Sequence, residues 1–212
     1  MDIADELHNI DESIFRSLNH AGVNLELDLL MVGFTVVGMT YILMFIVPAL
    51  YWSKRRWDAF DVAVLLAASD ILSEVLKVIF ARPRPFDTLA DVNMIHWDGL
   101  TVASSFSFPS GHALRAFAVG AYLVYSSGWR IRIPSVVIPI MIGISRIYLG
   151  LHWPSDVVGG AVIGILLATL IYWLGKRPGH YSATREKVIS AVHRRFNPAE
   201  GHKKSPTGSI SP

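Results

Sequence analysis

A run of about twenty apolar residues has few stable destinations other than a membrane-crossing helix, and this sequence contains five such runs or near-runs. They cover roughly Leu29–Trp52, Ala59–Phe80, Pro109–Trp129, Ile133–Leu149 and Ser155–Leu174. The first carries no charge, whereas Asp61, Asp70, Glu74 and Lys77 interrupt the second. With 52% of residues hydrophobic and only 17% charged, the chain is short of the polar side chains a soluble domain of this length would need. The fold class that follows is all-α, an integral membrane helix bundle. Residues 1–26 read differently: Ile3, Leu7, Ile10, Ile14 and Leu18 recur at helical spacing among acidic neighbours. This is the pattern of an amphipathic helix on a membrane surface or against the bundle. The expectation is five transmembrane helices plus that N-terminal helix, with a six-span variant if it inserts. Its five acidic residues, Asp2, Asp5, Glu6, Asp11 and Glu12, argue against insertion, and no cleavable signal peptide is expected. The absence of cysteine excludes disulfides and thiolate metal sites.

Basic residues orient the bundle. Lys54, Arg55 and Arg56 follow the first run, Arg130 and Arg132 the third, and Lys176, Arg177, Arg185, Lys187, Arg194 and Arg195 the fifth. Five spans put all three clusters on one side, the cytoplasmic side by the positive-inside rule. Residues 27–175 then form the membrane domain. Residues 176–212 form a cytoplasmic tail, in which Val188, Ile189, Val192 and Phe196 mark a basic amphipathic helix before a disordered stretch rich in Ser, Pro and Lys.

Three polar motifs meet on the opposite, extracytoplasmic side: Lys77 with Arg84-Pro85, Pro109-Ser110-Gly111-His112, and Ser145-Arg146 followed by His152 and Asp156. A lysine and an arginine fork suit a phosphoryl group with several anionic oxygens, and Arg146 adds a third cation. Pro83 and Pro85 end the second helix and let Arg84 fold back toward Lys77. Ser110 is placed to N-cap the third helix, whose free N–H groups bind anions, and Gly111 allows close backbone approach. Pro154 starts the fifth helix, with Asp156 in its first turn, where a carboxylate can fix the His152 tautomer and free the other ring nitrogen. Either His112 or His152 can be nucleophile or acid on these grounds. Metal ligation by His152 and Asp156 is disfavoured, because three cations would repel the ion and no third ligand is spaced for it.

The combination Lys-x6-Arg-Pro, Pro-Ser-Gly-His and Ser-Arg-x5-His-x3-Asp resembles the three-part signature of the type 2 phosphatidic acid phosphatase superfamily at every signature position. The resemblance implies a metal-independent phosphatase without cofactor. His152 would be the nucleophile, Asp156 its partner, and His112 the acid. Lys77, Arg84, Ser110, Gly111 and Arg146 would hold the phosphoryl oxygens. It implies lipid phosphates as substrates and the bilayer as partner, with no nucleic acid. A polyprenyl diphosphate carrier is favoured over phosphatidic acid or phosphatidylglycerophosphate. A transporter that binds phosphate without cleaving it is the competing class, and vanadate-dependent peroxidation a third, disfavoured because its family members are soluble.

Other polar residues divide between roles. Arg115, one turn after His112, reads as an added phosphate contact or as a cation reaching for headgroups, and Arg82 poses a similar choice. Glu74 is expected to brace Lys77 on a face shared with Asp70. Gly159, Gly160 and Gly164 are expected to let helices pack closely. His96, Trp97 and Asp98 read as a solvated loop or an access route for substrate.

Overall fold

The structure, a computed structural model, describes residues 3–94 and 106–196. The loop residues His96, Trp97 and Asp98 and the tail beyond Phe196 lie outside the described residues. The chain forms α1 (Ile3–Asn19), α2 (Leu25–Val37), α3 (Thr40–Leu43), α4 (Ile46–Trp52), α5 (Arg56–Phe80), α6 (Pro85–Thr88), α7 (Gly111–Ser126), α8 (Trp129–Tyr148), α9 (Pro154–Lys176) and α10 (His180–Phe196), with no strand among the described residues.

The first apolar run is not one straight helix. It breaks after α2, and α3–α4 continue at 63° to it. The break sits at Gly38, where an added Cβ would stand 2.7 Å from Ile142 Cγ2 and 3.1 Å from His112 Cδ2. Above the break α2 packs on α8, and below it α4 packs on α5. Helices α8 and α9 are each long and apolar enough to cross a membrane, and the bent α2–α4 pair makes a third. α5 has the length, at 25 residues or about 37 Å, but carries six charged residues. α7 has only 16 residues.

Each α5 carboxylate has a partner, which is what makes charge tolerable in an apolar bundle. Asp58 accepts from Arg55 and Tyr122 (2.7 and 3.0 Å). Asp61, fully buried, accepts from Tyr122, Tyr181 and Arg185, each at 2.6 Å, and so ties α10 to the bundle. Asp70 takes Arg115 and Thr40, and Glu74 takes Lys77 at 2.7 Å, the bracing expected from the sequence.

α7 is the central helix, flanked by α5, α8 and α9. Its approach to α9 depends on the glycines expected to do this: a Cβ on Gly164 would lie 2.3 Å from Leu114 O, and one on Gly160 2.7 Å from Ser110 O. Val62, Leu65, Leu66, Ala118, Val119, Tyr122 and Ala168 form the interior beside them. The outer faces of α5, α8 and α9 expose Ile71, Val75, Val78, Ile79, Val136, Ile140, Val162 and Leu166, a surface suited to hydrocarbon rather than water.

α1 lies across the ends of α8 and α9, and of the stripe the sequence picked out Leu18 packs there, partly buried beside Phe15 and Trp153. Leu7, Ile10 and Ile14 stay exposed, whereas Asp11, Phe15 and Asn19 are buried. Phe15 packs on Trp153 at 5.3 Å, and Asn19 Nδ2 donates to Tyr148 O at 2.8 Å. Polar groups at one helical face had buried partners that periodicity alone does not register.

Candidate active site

Four helix ends and two linkers converge at the end of the bundle covered by α1. α5 ends at Phe80, with Ala81 in the left-handed conformation (φ 45°) turning the chain toward Arg82 and Arg84. Arg84 Nη1 then donates to Leu151 O at 2.8 Å, fastening this linker to the α8–α9 turn. In that turn the N–H groups of Leu151 and His152 both donate to Arg146 O (3.1 and 3.2 Å), so backbone bonds fix His152 relative to Arg146. Pro154 opens α9 as expected, and Asp156 at its third position accepts Trp153 N–H at 2.8 Å. Ser110 N–H donates to Asp156 O at 3.0 Å, which joins the second motif to the third.

Asp156 is fully buried and serves several donors. Its Oδ2 accepts from Trp153 N–H and Ser107 Oγ and stands 3.5 Å from His152 Nδ1. Its Oδ1 accepts from Arg82 Nη1 at 2.7 Å. Ser107 Oγ is also 3.4 Å from His152 Nδ1. Nδ1 therefore faces the carboxylate, and Nε2 is the ring nitrogen left for other chemistry. Burial drives the His152 imidazole down to about 3; Asp156 opposes the shift, and Arg146 and Arg84 add to it. The ring is neutral at ordinary pH. Burial also lowers Arg84 to about 10, with Asp156 and Asp87 opposing, which leaves it charged at neutral pH.

The predicted cations and histidines come together. The charges of Arg146, Arg115 and Lys77 all act on His112, and that of Arg84 acts on Lys77 and His152. Among the described residues, buried polar atoms without a partner include Ser110 Oγ, His112 Nε2, Arg146 Nε and Ser73 Oγ. Buried donors are ordinarily satisfied. Four orphans within one set of cations mark a place for a ligand with many acceptor oxygens, which is what a phosphoryl group offers.

Two expectations need correction. Ser110 occupies the N-cap position of α7, but its side chain makes no capping bond; its hydroxyl is one of the orphans. Arg115 turns neither toward headgroups nor only toward the anion site. Its Nε and Nη2 bind Asp70 (2.9 and 2.8 Å), and Nη1 reaches Gly38 O at 3.4 Å. Sequence reading also passed over Ser107, Thr35 and Gly38. Thr35 Oγ1 accepts Arg146 Nη1 at 3.0 Å and orients that guanidinium. Gly111 also leaves a gap for a neighbour: a Cβ there would stand 2.8 Å from Ser73 Oγ.

A family model described as the PAP2 superfamily matches residues 58–179, which takes in every one of these motif residues. The chain belongs to the PAP2 superfamily. One PAP2 relative, a bacitracin transport permease protein of Bacillus licheniformis, is 30% identical over 78% of this chain and 79% of its own. An undecaprenyl-diphosphatase of Sulfolobus acidocaldarius is 27% identical over 74% of each chain. The crystal structure of a transmembrane PAP2-type phosphatidylglycerolphosphate phosphatase from Bacillus subtilis superposes with a TM-score of 0.65 at 27% identity, covering 82% of this chain and 89% of that one. The protein is an integral membrane PAP2 phosphatase, and the resemblance read from the motifs holds at the level of family and reaction class.

Proposed function

We propose that this PAP2 phosphatase removes the terminal phosphate of a polyprenyl diphosphate carrier, of undecaprenyl or dolichyl type, through a phosphohistidine on His152. The observation that carries the mechanism is the His152–Asp156 pair, with Nδ1 turned to the carboxylate, Nε2 left clear of it, and the charges of Arg146 and Arg84 acting on the ring. In the first step Nε2 attacks the terminal phosphorus and the bond from that phosphorus to the bridging oxygen breaks; His112, protonated once the anionic substrate offsets the neighbouring cations, gives its proton to that oxygen, and the lipid monophosphate leaves. Asp156 stabilises the positive charge that the phosphorylated ring acquires. In the second step neutral His112 takes a proton from water. The resulting hydroxide attacks phosphorus, the P–N bond breaks, and inorganic phosphate leaves. Lys77, Arg84 and Arg146, with Ser110 Oγ and the Gly111 N–H, hold the phosphoryl oxygens as charge shifts among them; Arg115 contributes charge from its seat on Asp70.

The same reading treats α2–α4, α5, α7, α8 and α9 as five spans, with α1 along the outer surface. The basic loops and residues 176–212 are then cytoplasmic, residues 27–175 are the catalytic domain, and the site opens extracytoplasmically. The pairing of every α5 carboxylate supports α5 as a span despite its charge.

The Sulfolobus relative supports the diphosphate substrate, whereas the Bacillus subtilis neighbour favours phosphatidylglycerophosphate as a second reading. The permease name borne by one relative keeps a transport role in view, but a buried carboxylate facing one histidine with a second histidine beside the cations exceeds what binding needs. The test is phosphate release by purified protein in EDTA from undecaprenyl diphosphate, phosphatidylglycerophosphate, phosphatidic acid and glucose 6-phosphate. The highest kcat/KM is expected for the diphosphate. Preference for the sugar phosphate would remove the lipid assignment, and no hydrolysis of any would favour transport.

A further inference from the structure

Arg82 has no part in the steps above, yet it bonds the catalytic carboxylate directly, and α1 reaches that carboxylate through it. Arg82 Nη1 donates to Asp156 Oδ1 at 2.7 Å and to Ser155 Oγ at 2.6 Å, and its Nη2 donates to Asp11 Oδ2 at 2.7 Å. Asp11, on α1, is buried and also accepts Ser155 N–H at 2.8 Å and Ser155 Oγ at 2.5 Å. The guanidinium lies over the Trp153 ring at 5.4 Å, and that ring is itself held by Phe15 and by a bond from Nε1 to Pro83 O at 3.0 Å. Two separate chain segments, α1 and the start of α9, thus close on one planar fork.

We infer that Asp11 and Arg82 are positioning residues for the reaction, holding Asp156 at the angle and charge that His152 requires. The inference rests on the reading of His152 as nucleophile. A fully buried carboxylate facing a neutral imidazole lacks a counter-charge until the phosphohistidine forms, and breaking a buried pair is costly because it strands the other charge. Arg82 supplies that counter-charge on Oδ1, while Oδ2 stays turned to His152. An arginine alone would draw on the negative charge that has to stabilise the phosphorylated ring. Asp11 on the far side of the guanidinium offsets this, so the charges alternate along Asp11, Arg82, Asp156 and His152. The bidentate geometry matters: a lysine has no planar fork to bridge both carboxylates. α1 therefore belongs to the catalytic unit, and its exposed Leu7, Ile10 and Ile14 set it against the membrane while its polar face sets Asp156.

The experiment compares wild type, Asp11→Asn, Arg82→Met, Arg82→Lys and the double variant Asp11→Asn/Arg82→Met, as full-length purified protein with undecaprenyl diphosphate and with water-soluble farnesyl diphosphate, next to His152→Ala. Around metal-bound histidines, loss of the outer partner costs roughly 10- to 100-fold, and the same scale is expected for this phosphorus-bound one. Arg82→Met is expected to lose that much in kcat with KM within about twofold, and Asp11→Asn roughly tenfold. Arg82→Lys should fall between wild type and Arg82→Met. The double variant should match Arg82→Met alone, because Asp11 acts through Arg82 and has nothing left to act on. Thermal unfolding of each variant separates loss of fold from loss of rate, and Asp11→Asn, which keeps its volume, carries the test if Arg82→Met does not fold. Wild-type kcat in a folded single variant, loss confined to KM, or multiplying effects in the double variant would each overturn the inference. Full activity in His152→Ala would instead overturn the reading beneath it.

Discussion

Replacing Asp156 by asparagine changes one atom and removes one charge, and the surroundings of that carboxylate dictate a large effect. Oδ2 accepts Trp153 N–H at 2.8 Å and the Ser107 hydroxyl, and Oδ1 accepts Arg82 Nη1 at 2.7 Å. Both oxygens therefore face donors. An asparagine amide turned either way points its NH2 at one of these groups, and burial bars water from the position. Each unsatisfied pair costs about 1–3 kcal/mol. The positive charge formed on His152 also loses its counter-ion. In serine proteases the corresponding carboxylate-to-amide change lowers kcat by about 10⁴-fold with the geometry intact. Asp156→Asn is expected to lower kcat by roughly 10³- to 10⁴-fold while KM changes little. The assay is phosphate release from undecaprenyl diphosphate and from farnesyl diphosphate in EDTA, with thermal unfolding to show that the variant is folded. A folded Asp156→Asn protein within tenfold of wild-type kcat would refute the role given to this carboxylate.

Gly164→Ala forces a Cβ to within 2.3 Å of a backbone oxygen on α7. Overpacking of this kind costs about 1–3 kcal/mol and should lower Tm by several degrees, whereas Gly33→Ala, with nothing within 4 Å of its Cβ position, should leave Tm unchanged; equal Tm values for the two variants would show that the α7–α9 approach is looser than drawn. The pH dependence of stability carries a contribution from His152. Its folded value near 3 lies below the ordinary value of 6.5, so between those limits the unfolded chain binds the extra proton and stability falls as pH is lowered through the window. Tm measured from pH 7 to pH 4 should fall less steeply in His152→Gln than in wild type, and parallel curves would contradict the burial of a neutral ring.

The parts of this site that were legible in the sequence are those whose chemistry is expensive in an apolar setting. A lysine, two arginines and two histidines at the edges of apolar runs demanded a common partner, and they do converge. Ser107 and Thr35 were not legible, because a single hydroxyl near an apolar stretch is unremarkable until Asp156 or Arg146 is seen beside it. Gly38 shows a second kind of failure. The Leu29–Trp52 run has no charge, and its Gly38 and Pro48 were passed over as break signals; the structure adds that the chain at Gly38 passes too close to Ile142 and His112 for a side chain to fit. Ser110 shows a third: the residue type and position of an N-cap were right, but the hydroxyl makes no capping bond to the helix it begins. On α1, acidic residues counted only as obstacles to membrane insertion, yet Asp11 is buried on Arg82 and Ser155. For α1 and α7 local pattern identified the element, and a contact from a distant segment decided what the side chain does.

The central claim is that phosphate passes through His152. Rapid quenching of the enzyme with undecaprenyl diphosphate labelled in its terminal phosphate, followed by digestion under alkaline conditions that preserve phosphohistidine, tests it most directly. The account predicts an acid-labile, alkali-stable label on the peptide carrying His152, present in wild type, lost in His152→Ala and accumulating in His112→Ala if that histidine activates the water. Turnover that continues in His152→Ala, or a label on any other residue, would contradict it.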